Sequence, residues 1–187
     1  MLSRRACMKC GLALATGLVL SGVQSAVAAP GGKSIVIYHS RTGEVEKIAR
    51  MIADATGAEL LQIEPKVPYA DEYSAMTGIA QEEKRQGRRR EIATTIPDLS
   101  GYDTIYVGSP VWWNGLSTPM WTFLKDHPLD GKTVATFHAS GSSSASASRR
   151  EAERLCPKAH FVGTPFLTSG GQASTKGAEV AAWLKTL

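Results

Sequence analysis

A short polar run, Ser40-Arg41-Thr42-Gly43, follows an apolar segment and precedes a helical pattern. A helix amino terminus presents N–H groups without intrahelical partners and the positive end of the helix dipole. The Ser and Thr hydroxyls add hydrogen-bond donors, and Gly43 lets the backbone approach a ligand closely. The run is therefore suited to binding a phosphate monoester. The alternative is that Ser40 or Thr42 only caps the helix, and the run alone does not decide between the two.

Two adjacent tryptophans, Trp112 and Trp113, stand in a second loop that directly follows another apolar segment. Neighbouring side chains of an extended segment point to opposite sides, so both indoles cannot enter one core face. At least one indole must lie at the surface or against a ligand, and a flat conjugated ring is a natural partner for it. The alternative is that the indoles pack against the irregular segment 65–98 or against a partner chain.

The segments around these loops have the pattern of buried strands that alternate with helices. Short, β-branched apolar runs are typical of strands that are covered on both faces of a parallel sheet. Five such runs are found: Ser34–His39, Glu59–Glu64, Thr104–Gly108, Thr133–Phe137 and a segment within His160–Leu167. The clearest helix has apolar residues at three- and four-residue spacing from Val45 to Ala53 and ends at Gly57.

Further helical patterns are predicted in four places: partly within Ser74–Arg89, then from Pro119 to Lys125, Arg149 to Cys156 and Ala178 to Leu187. Alternating strands and helices predict an α/β fold. In such folds ligands bind beyond the carboxyl ends of the strands, where the strand order switches. The loops Ser40–Gly43, Ser109–Gly115 and Ala139–Ser144 are therefore expected at one binding edge.

Three stretches of the chain, Tyr38–Gly43, Tyr102–Trp113 and Leu129–Val134, resemble the flavodoxin family. They are similar to the branch that has a Tyr-x-Ser-Arg-Thr-Gly opening and a Pro-x-Trp-Trp second loop. The resemblance extends, in order, over essentially the whole chain after residue 28. It implies a flavodoxin-like three-layer sandwich with a five-stranded parallel sheet of order 2-1-3-4-5, and bound FMN.

The same resemblance implies a role for each loop. The residues that would hold the FMN phosphate are Ser40, Arg41, Thr42 and Gly43. The residues that would border the isoalloxazine ring are Pro110, Val111, Trp112, Trp113, Asn114 and Gly115. The residues that would close its other side are Ala139, Ser140, Gly141 and Ser142. No catalytic side chain is required, because FMN itself supplies the electron chemistry, and no metal-ligand spacing is present.

Two residues, Glu44 and Val45, depart from the family pattern of Asn or Thr followed by Thr. Val45 lacks the second hydroxyl, which removes a phosphate hydrogen bond worth about 0.5–1.5 kcal/mol. Glu44 places a carboxylate near a dianion, which costs on the order of 1 kcal/mol in water at about 4 Å. Arg41 could offset this cost, or Glu44 could point to solvent. We therefore expect FMN binding that is weaker than is typical.

The first 28 residues have the composition of an export signal. Basic residues precede an apolar stretch from about Gly11 to Val23, small residues follow at Ala26–Ala28, and no acidic residue occurs. Ser3–Lys9 resembles a twin-arginine signal, with Cys7 where an aromatic residue is usual; an ordinary Sec signal or an anchoring helix is the alternative. The apolar stretch is shorter than the ~20 residues of a membrane span, so no permanent span is expected.

Cleavage after Ala28 would leave one flavodoxin-like domain, residues 29–187, which we expect to be periplasmic. The formal net charge of +4 would lose the three basic residues of the signal. This small positive excess argues against a dedicated nucleic-acid binder. Of the three cysteines, only Cys156 would remain, so no internal disulfide is expected.

Two functions stay open at this point. One is an FMN-dependent redox protein of the cell envelope, either an electron carrier or a reductase that uses NAD(P)H or a quinone. It would act with a redox partner protein or a small-molecule electron donor or acceptor, although no Gly-x-Gly-x-x-Gly fingerprint follows a strand. The other is an exported binding or scaffold domain whose FMN binding is weakened or lost, as Glu44 and Val45 suggest.

Several other residues have alternative interpretations. The basic run from Lys84 to Arg90 is either a solvated face or a docking patch for an acidic redox partner. His39 and His138 are strand-end residues near the expected cofactor edge. The residues of the irregular segment that are candidates to cover the flavin are Tyr69, Asp71 and Tyr73.

Overall fold

The computed structural model describes residues 32–187, so the predicted export signal lies outside the described residues. The strands are β1 (Ser34–Tyr38), β2 (Glu59–Gln62), β3 (Thr104–Trp112), β4 (Gly115–Leu116), β5 (Thr133–Ser140), β6 (His160–Phe161) and β7 (Phe166–Ser169). The helices are α1 (Glu44–Thr56), α2 (Tyr73–Gln86), α3 (Thr118–Asp126), α4 (Ser146–Leu155) and α5 (Gly177–Leu184). A 3₁₀ turn (Ala173–Thr175) precedes α5.

The sheet has the order β2-β1-β3-β5-β6, with β7 beside β5 and β4 beside β3. All pairings among these seven strands are parallel except that of β3 with β4. The predicted α/β class is confirmed, and the first four predicted strands correspond to β1, β2, β3 and β5. The single fifth strand expected within His160–Leu167 is instead two short strands, because Gly163, at φ 58°, and Pro165 interrupt it. The short β4 was not predicted.

Both faces of the sheet are covered, which explains the continuous apolar runs of its strands. Val36 and Tyr38 of β1 pack in a cluster with residues of α1 and α5. Ile35 and Ile37 pack in a second cluster with residues of α3 and the end of α4. Successive strand residues alternate between faces, and burial of each large apolar side chain contributes about 1.5–3 kcal/mol.

The register of the central strands aligns the three loops at one edge. Tyr38 pairs with Gly108, and Pro110 pairs with Ala139. Gly108 is required here, because a side chain at this position would collide with the Phe137 ring and with Tyr38. None of the described helices is long and apolar enough to cross a membrane.

Candidate functional site

The loops after β1, β3 and β5 meet at a cleft with two adjoining lobes on the carboxyl edge of the sheet. The smaller lobe, of about 170 Å³, brings together residues of all three predicted sets: Ser40, Arg41, Thr42, Pro110, Val111, Trp112, Ala139, Ser140 and Gly141. The larger lobe, of about 280 Å³, adds Trp113, Asn114 and Ser142. The two remaining predicted residues shape the loops, Gly43 as the first residue before α1 and Gly115 as part of β4.

The amino terminus of α1 lies at the smaller lobe. Gly43 caps the helix with a φ of 81°, a conformation that favours glycine, and no side chain caps the helix from that position. Ser40 Oγ accepts a hydrogen bond of 3.3 Å from the N–H of Glu46. The capping role considered for Ser40 is therefore present as this one contact, while Thr42 remains exposed at the lobe.

Arg41 lies between the cleft and the chain that leads into α2. Its guanidinium donates to the carbonyl oxygen of Asp71 at 2.5 Å and to that of Ala70 at 3.3 Å. On its other side, Arg41 borders a neighbouring cavity of about 340 Å³ that also includes His39 and Tyr69. The guanidinium is thus already engaged by backbone carbonyls, and it ties the loop after β1 to the segment before α2.

Trp112 forms a braced wall of the cleft. Its ring contacts His39 and Tyr69 edge to face, at centroid distances of 5.4 Å and 5.0 Å. The Tyr69 hydroxyl donates to Glu83 Oε2 at 2.5 Å. Packing against the segment 65–98, considered as an alternative for the indoles, therefore applies to one side of Trp112, while the residue also lines both lobes.

Trp113 and Asn114 form the two-residue turn between β3 and β4. Their φ angles are 49° and 55°, and positive φ at both central residues is typical of a tight hairpin turn that matches the twist of the strands. For a bulky residue such as Trp this conformation is strained. The Trp113 side chain is 51% exposed, and its Nε1 donates to the carbonyl oxygen of Thr77 in α2 at 3.1 Å.

Helix α2 forms a further wall of the cleft, one that was not predicted from the sequence. Met76 is buried and lines both lobes, as does Tyr73, which is otherwise exposed. Of the three residues considered for covering a flavin, Tyr73 alone borders the lobes. The buried residues Met76, Ala80 and Glu83 have helical spacing, which was the available signal for this face.

Glu44 has a compensated charge. Its Oε1 accepts from Lys47 Nζ at 2.6 Å and its Oε2 accepts from the backbone N–H of Ala173 at 3.1 Å. The Lys47 ammonium and, to a lesser degree, the Ala173 N–H lower the pKa of Glu44. Glu44 therefore borders the smaller lobe without pointing to solvent, whereas Val45 is buried and contributes no hydroxyl.

A buried polar network supports the loops from below. His39 Nδ1 lies 3.0 Å from Ser117 Oγ. Ser109 Oγ accepts from the Ser117 N–H at 2.9 Å and donates to the Pro110 carbonyl at 2.8 Å. His138 Nδ1 lies 3.1 Å from the Ser109 carbonyl and must be the donor, because a carbonyl oxygen only accepts. Burial lowers the pKa of both histidines to about 4, so both are neutral at pH 7.

The basic run from Lys84 to Arg90 is largely neutralised within the protein. Arg85 pairs with Glu82, Arg89 with Asp126, Arg90 with Glu83 and Lys84 with Glu151. The Arg90 guanidinium also stacks over the Tyr69 ring at 3.9 Å. The side chains of Arg85 and Arg89 are nevertheless 69% and 44% exposed, so both interpretations of the run stay open. The described residues contain no cluster of His, Cys, Asp or Glu suited to a metal ion.

The known proteins that this chain resembles include flavodoxins and flavoproteins. The family model described as Flavodoxin matches residues 33–187. The chain is 30% identical to a putative flavoprotein from Bacteroides uniformis, with a TM-score of 0.70 over 83% of this chain and 99% of that one. It is 26% identical to a putative flavoprotein from Bacteroides eggerthii, with a TM-score of 0.71 over 83% and 97%.

Two further relatives have informative descriptions. A flavoprotein from Lactobacillus acidophilus, solved in complex with FMN, is 23% identical with a TM-score of 0.63 over 82% of this chain and 99% of that one, which is a likeness of fold. A protein from Cupriavidus metallidurans, described as NAD(P)H dehydrogenase (quinone), is 31% identical over 97 residues. That match covers 49% of this chain and 45% of the relative, so the chain spans less than half of the relative's length.

Proposed function

Because this chain belongs to the flavodoxin family, we propose that it is an FMN-binding redox protein that transfers electrons. One observation carries the proposal: the loops after β1, β3 and β5 converge on one cleft that has the α1 amino terminus at one end and Trp112 along its wall. When bound, FMN supplies the electron chemistry, and the protein supplies binding, orientation and electrostatics.

The residues at the smaller lobe fit the phosphate of FMN. The amino terminus of α1 offers N–H groups and a positive dipole end, Gly43 leaves the approach open, and Thr42 adds a hydroxyl. The charge of Glu44 is compensated by Lys47, so its expected repulsion is reduced. Arg41 contributes to phosphate binding indirectly. Its contacts with the carbonyls of Ala70 and Asp71 hold the loop Ser40–Gly43 in place.

The residues around the larger lobe fit a planar ring system. Trp112 is braced by His39 and Tyr69, and it therefore offers a fixed aromatic surface with little rotamer freedom to lose. Ser140, Gly141 and Ser142 line the same lobe as the hairpin residues Trp113 and Asn114. Met76 of α2 is buried and lines both lobes, so it offers the ring an apolar contact. These contacts orient a ring beside the exposed Trp113, where a donor or acceptor has access.

We further propose that this protein works in the periplasm, on the basis of its first 28 residues, which lie outside the described residues. The likeness to an NAD(P)H dehydrogenase (quinone) supports testing a reductase activity as well as a carrier role. A second candidate is a domain of the same fold that has lost FMN binding. Val45 favours it, since this residue is buried where a second phosphate-binding hydroxyl is expected.

The test is to purify the full chain, record its visible spectrum and titrate it with FMN. We expect a flavin absorption band or, after removal of the cofactor, saturable FMN binding with loss of tryptophan fluorescence. A colourless protein that binds no added FMN would overturn the proposal and favour the second candidate. Turnover of NAD(P)H with a quinone acceptor would then distinguish a reductase from a carrier.

A further inference from the structure

The outer edge of the β3–β4 hairpin is bonded by two side chains. Strand β4 pairs with β3 alone among the described strands. In an antiparallel pair, alternate residues point their N–H and C=O away from the partner strand, and Leu116 is such a residue. Its N–H donates to Glu151 Oε2 at 2.7 Å, and its carbonyl accepts from Lys84 Nζ at 2.7 Å.

These two side chains come from two different helices and pair with each other. Lys84 belongs to the last turn of α2, Glu151 belongs to the middle of α4, and Lys84 Nζ lies 3.3 Å from Glu151 Oε2. Their side chains are only 18% and 15% exposed. Burial lowers the pKa of Lys84, and the Glu151 carboxylate partly offsets this effect. Removal of either partner would leave a largely buried charge unpaired, which is costly.

Gly115 allows this arrangement. A side chain at this position would collide with the Glu151 carboxylate and with Lys84 Nζ. Helix α2 touches the hairpin a second time, because the Thr77 carbonyl accepts from Trp113 Nε1 at 3.1 Å. Thr77 and Lys84 are seven residues, about two turns, apart and therefore lie on the same face of the helix. One face of α2 thus holds both the turn and the outer edge of the hairpin.

We infer that Lys84 and Glu151 are positioning residues for the aromatic hairpin. They bond the free edge of Leu116 as a neighbouring strand would, and so they fix Trp112 and Trp113 against the cleft. As far as FMN affinity is concerned, the inference rests on the proposed function. The two hydrogen bonds of Glu151 and Lys84 to Leu116, which we call the Leu116 clamp, do not depend on the proposed function. They can be measured without any cofactor.

The test uses the full chain with three variants and one control. Glu151→Met and Lys84→Met each remove one partner, whereas Glu151→Gln keeps an acceptor for the Leu116 N–H. The control is Glu153→Gln, which removes a carboxylate from the same helix; Glu153 pairs with Arg149. The measurements are hydrogen exchange of the Leu116 amide by NMR, the melting temperature, and FMN affinity followed by tryptophan fluorescence.

We expect Glu151→Met to speed exchange of the Leu116 amide and to raise the Kd for FMN, each roughly tenfold, as for loss of a hydrogen bond to a charged group. Glu151→Gln should have a smaller effect on both, and Glu153→Gln should leave both unchanged. A merely structural role would lower the melting temperature without this selective change at Leu116. Unchanged Leu116 exchange in folded Glu151→Met overturns the inference.

Three other results would also test the inference. If the wild type binds no FMN, the proposed function fails, and the exchange of Leu116 alone tests the clamp. If Glu151→Met does not fold, Glu151→Gln and Lys84→Met replace it. Glu151→Gln weakens the acceptor of the Leu116 N–H by removing its charge, and Lys84→Met removes the ammonium that holds the Glu151 carboxylate, so each should speed Leu116 exchange by less than tenfold. Unchanged exchange in both folded variants would overturn the inference. If exchange quickens but FMN affinity is unchanged, the clamp exists but does not position the cofactor wall, and the inference is wrong in that part.

Discussion

The carboxylate of Glu44 accepts a hydrogen bond of 3.1 Å from the backbone N–H of Ala173, a residue 129 positions further along the chain. This contact joins the first turn of α1 to the 3₁₀ turn before α5. The second carboxylate oxygen accepts from Lys47 at 2.6 Å. The Glu44 carboxylate, which we expected to repel the FMN phosphate, thus joins two segments of the chain at one end of the cleft.

We predict that Glu44→Gln destabilises the protein at pH 7 by about 0.5 kcal/mol, as for a partly exposed i,i+3 ion pair. The pKa of Glu44 is lowered from its ordinary 4.5, chiefly by Lys47. The stability from this carboxylate is therefore present above pH 4.5 and is lost as the pH falls through the folded-state pKa. Urea unfolding at pH 7 and pH 3 measures the difference, which should shrink in acid.

The matched control for this prediction is Glu46→Gln on the same helix. Glu46 pairs with Arg50 through an i,i+4 contact, whereas the tether to Ala173 belongs to Glu44. We expect Glu44→Gln, but not Glu46→Gln, to speed hydrogen exchange of the Ala173 amide. Equal exchange rates of this amide in the two variants would show that the tether is unimportant.

Trp113 should report directly on ligand binding, because it is half exposed at the larger lobe. We predict that FMN quenches the wild-type fluorescence and that Trp112→Phe and Trp113→Phe each remove part of this quenching. Trp121→Phe is the control, because Trp121 lies on α3 with Lys125 over its ring and outside both lobes. Stopped-flow or steady-state titration measures the effect. Quenching that is lost only in Trp121→Phe would contradict the assignment of the cleft.

The central fold was predictable because its local signals agree with its packing. The spacing of Val45, Ile48 and Ile52 predicted α1, and all three side chains are buried against the sheet. The fifth strand was not predicted correctly, since its apolar composition conceals a break at Gly163 and Pro165. An apolar run sets the tendency to form a strand, but backbone geometry decides where pairing stops.

The convergence of the three loops was predictable from the alternation of strands and helices, because the carboxyl ends of parallel strands meet at one edge of the sheet. The side-chain partners of these loops were not predictable. The contacts of Arg41 with Asp71 and of Glu44 with Ala173 join segments that are distant in sequence. The role of α2 was missed because its buried face contains a charged residue, Glu83. The Glu83 carboxylate is paired with Arg90 and accepts a hydrogen bond from Tyr69. These partners allow this charged side chain to be buried.

The two buried histidines predict a loss of stability in acid. His39 and His138 are 3% and 1% exposed, and burial lowers the pKa of each from 6.5 to about 4. As the pH falls from 6.5 to 4, the unfolded chain binds protons first, so stability decreases by up to about 1.4 kcal/mol per pH unit for each histidine. Unfolding free energies at pH 7, 5.5 and 4.5 measure this slope.

His138→Gln should make that slope shallower, because one of the two buried imidazoles no longer titrates in the unfolded chain. His160→Gln is the control for replacing a histidine by glutamine, since His160 is exposed. The comparison depends on slopes rather than on absolute stabilities, so a general loss of stability in His138→Gln does not obscure it. Parallel slopes in the wild type and His138→Gln would contradict a neutral buried His138.

The two glycines that flank α1 allow phosphate recognition to be tested separately from helix stability. Gly43 before the helix and Gly57 after it have φ angles of 81° and 72°, and a side chain would meet nothing within 4 Å at either position. Gly43→Ala and Gly57→Ala should therefore each cost about 1 kcal/mol of stability through backbone strain. Only Gly43→Ala should weaken FMN binding, because it alters the helix end at the smaller lobe. Titration with FMN and with riboflavin, which lacks the phosphate, measures this: Gly43→Ala should reduce the preference for FMN severalfold. An equal reduction in Gly57→Ala would place the phosphate elsewhere.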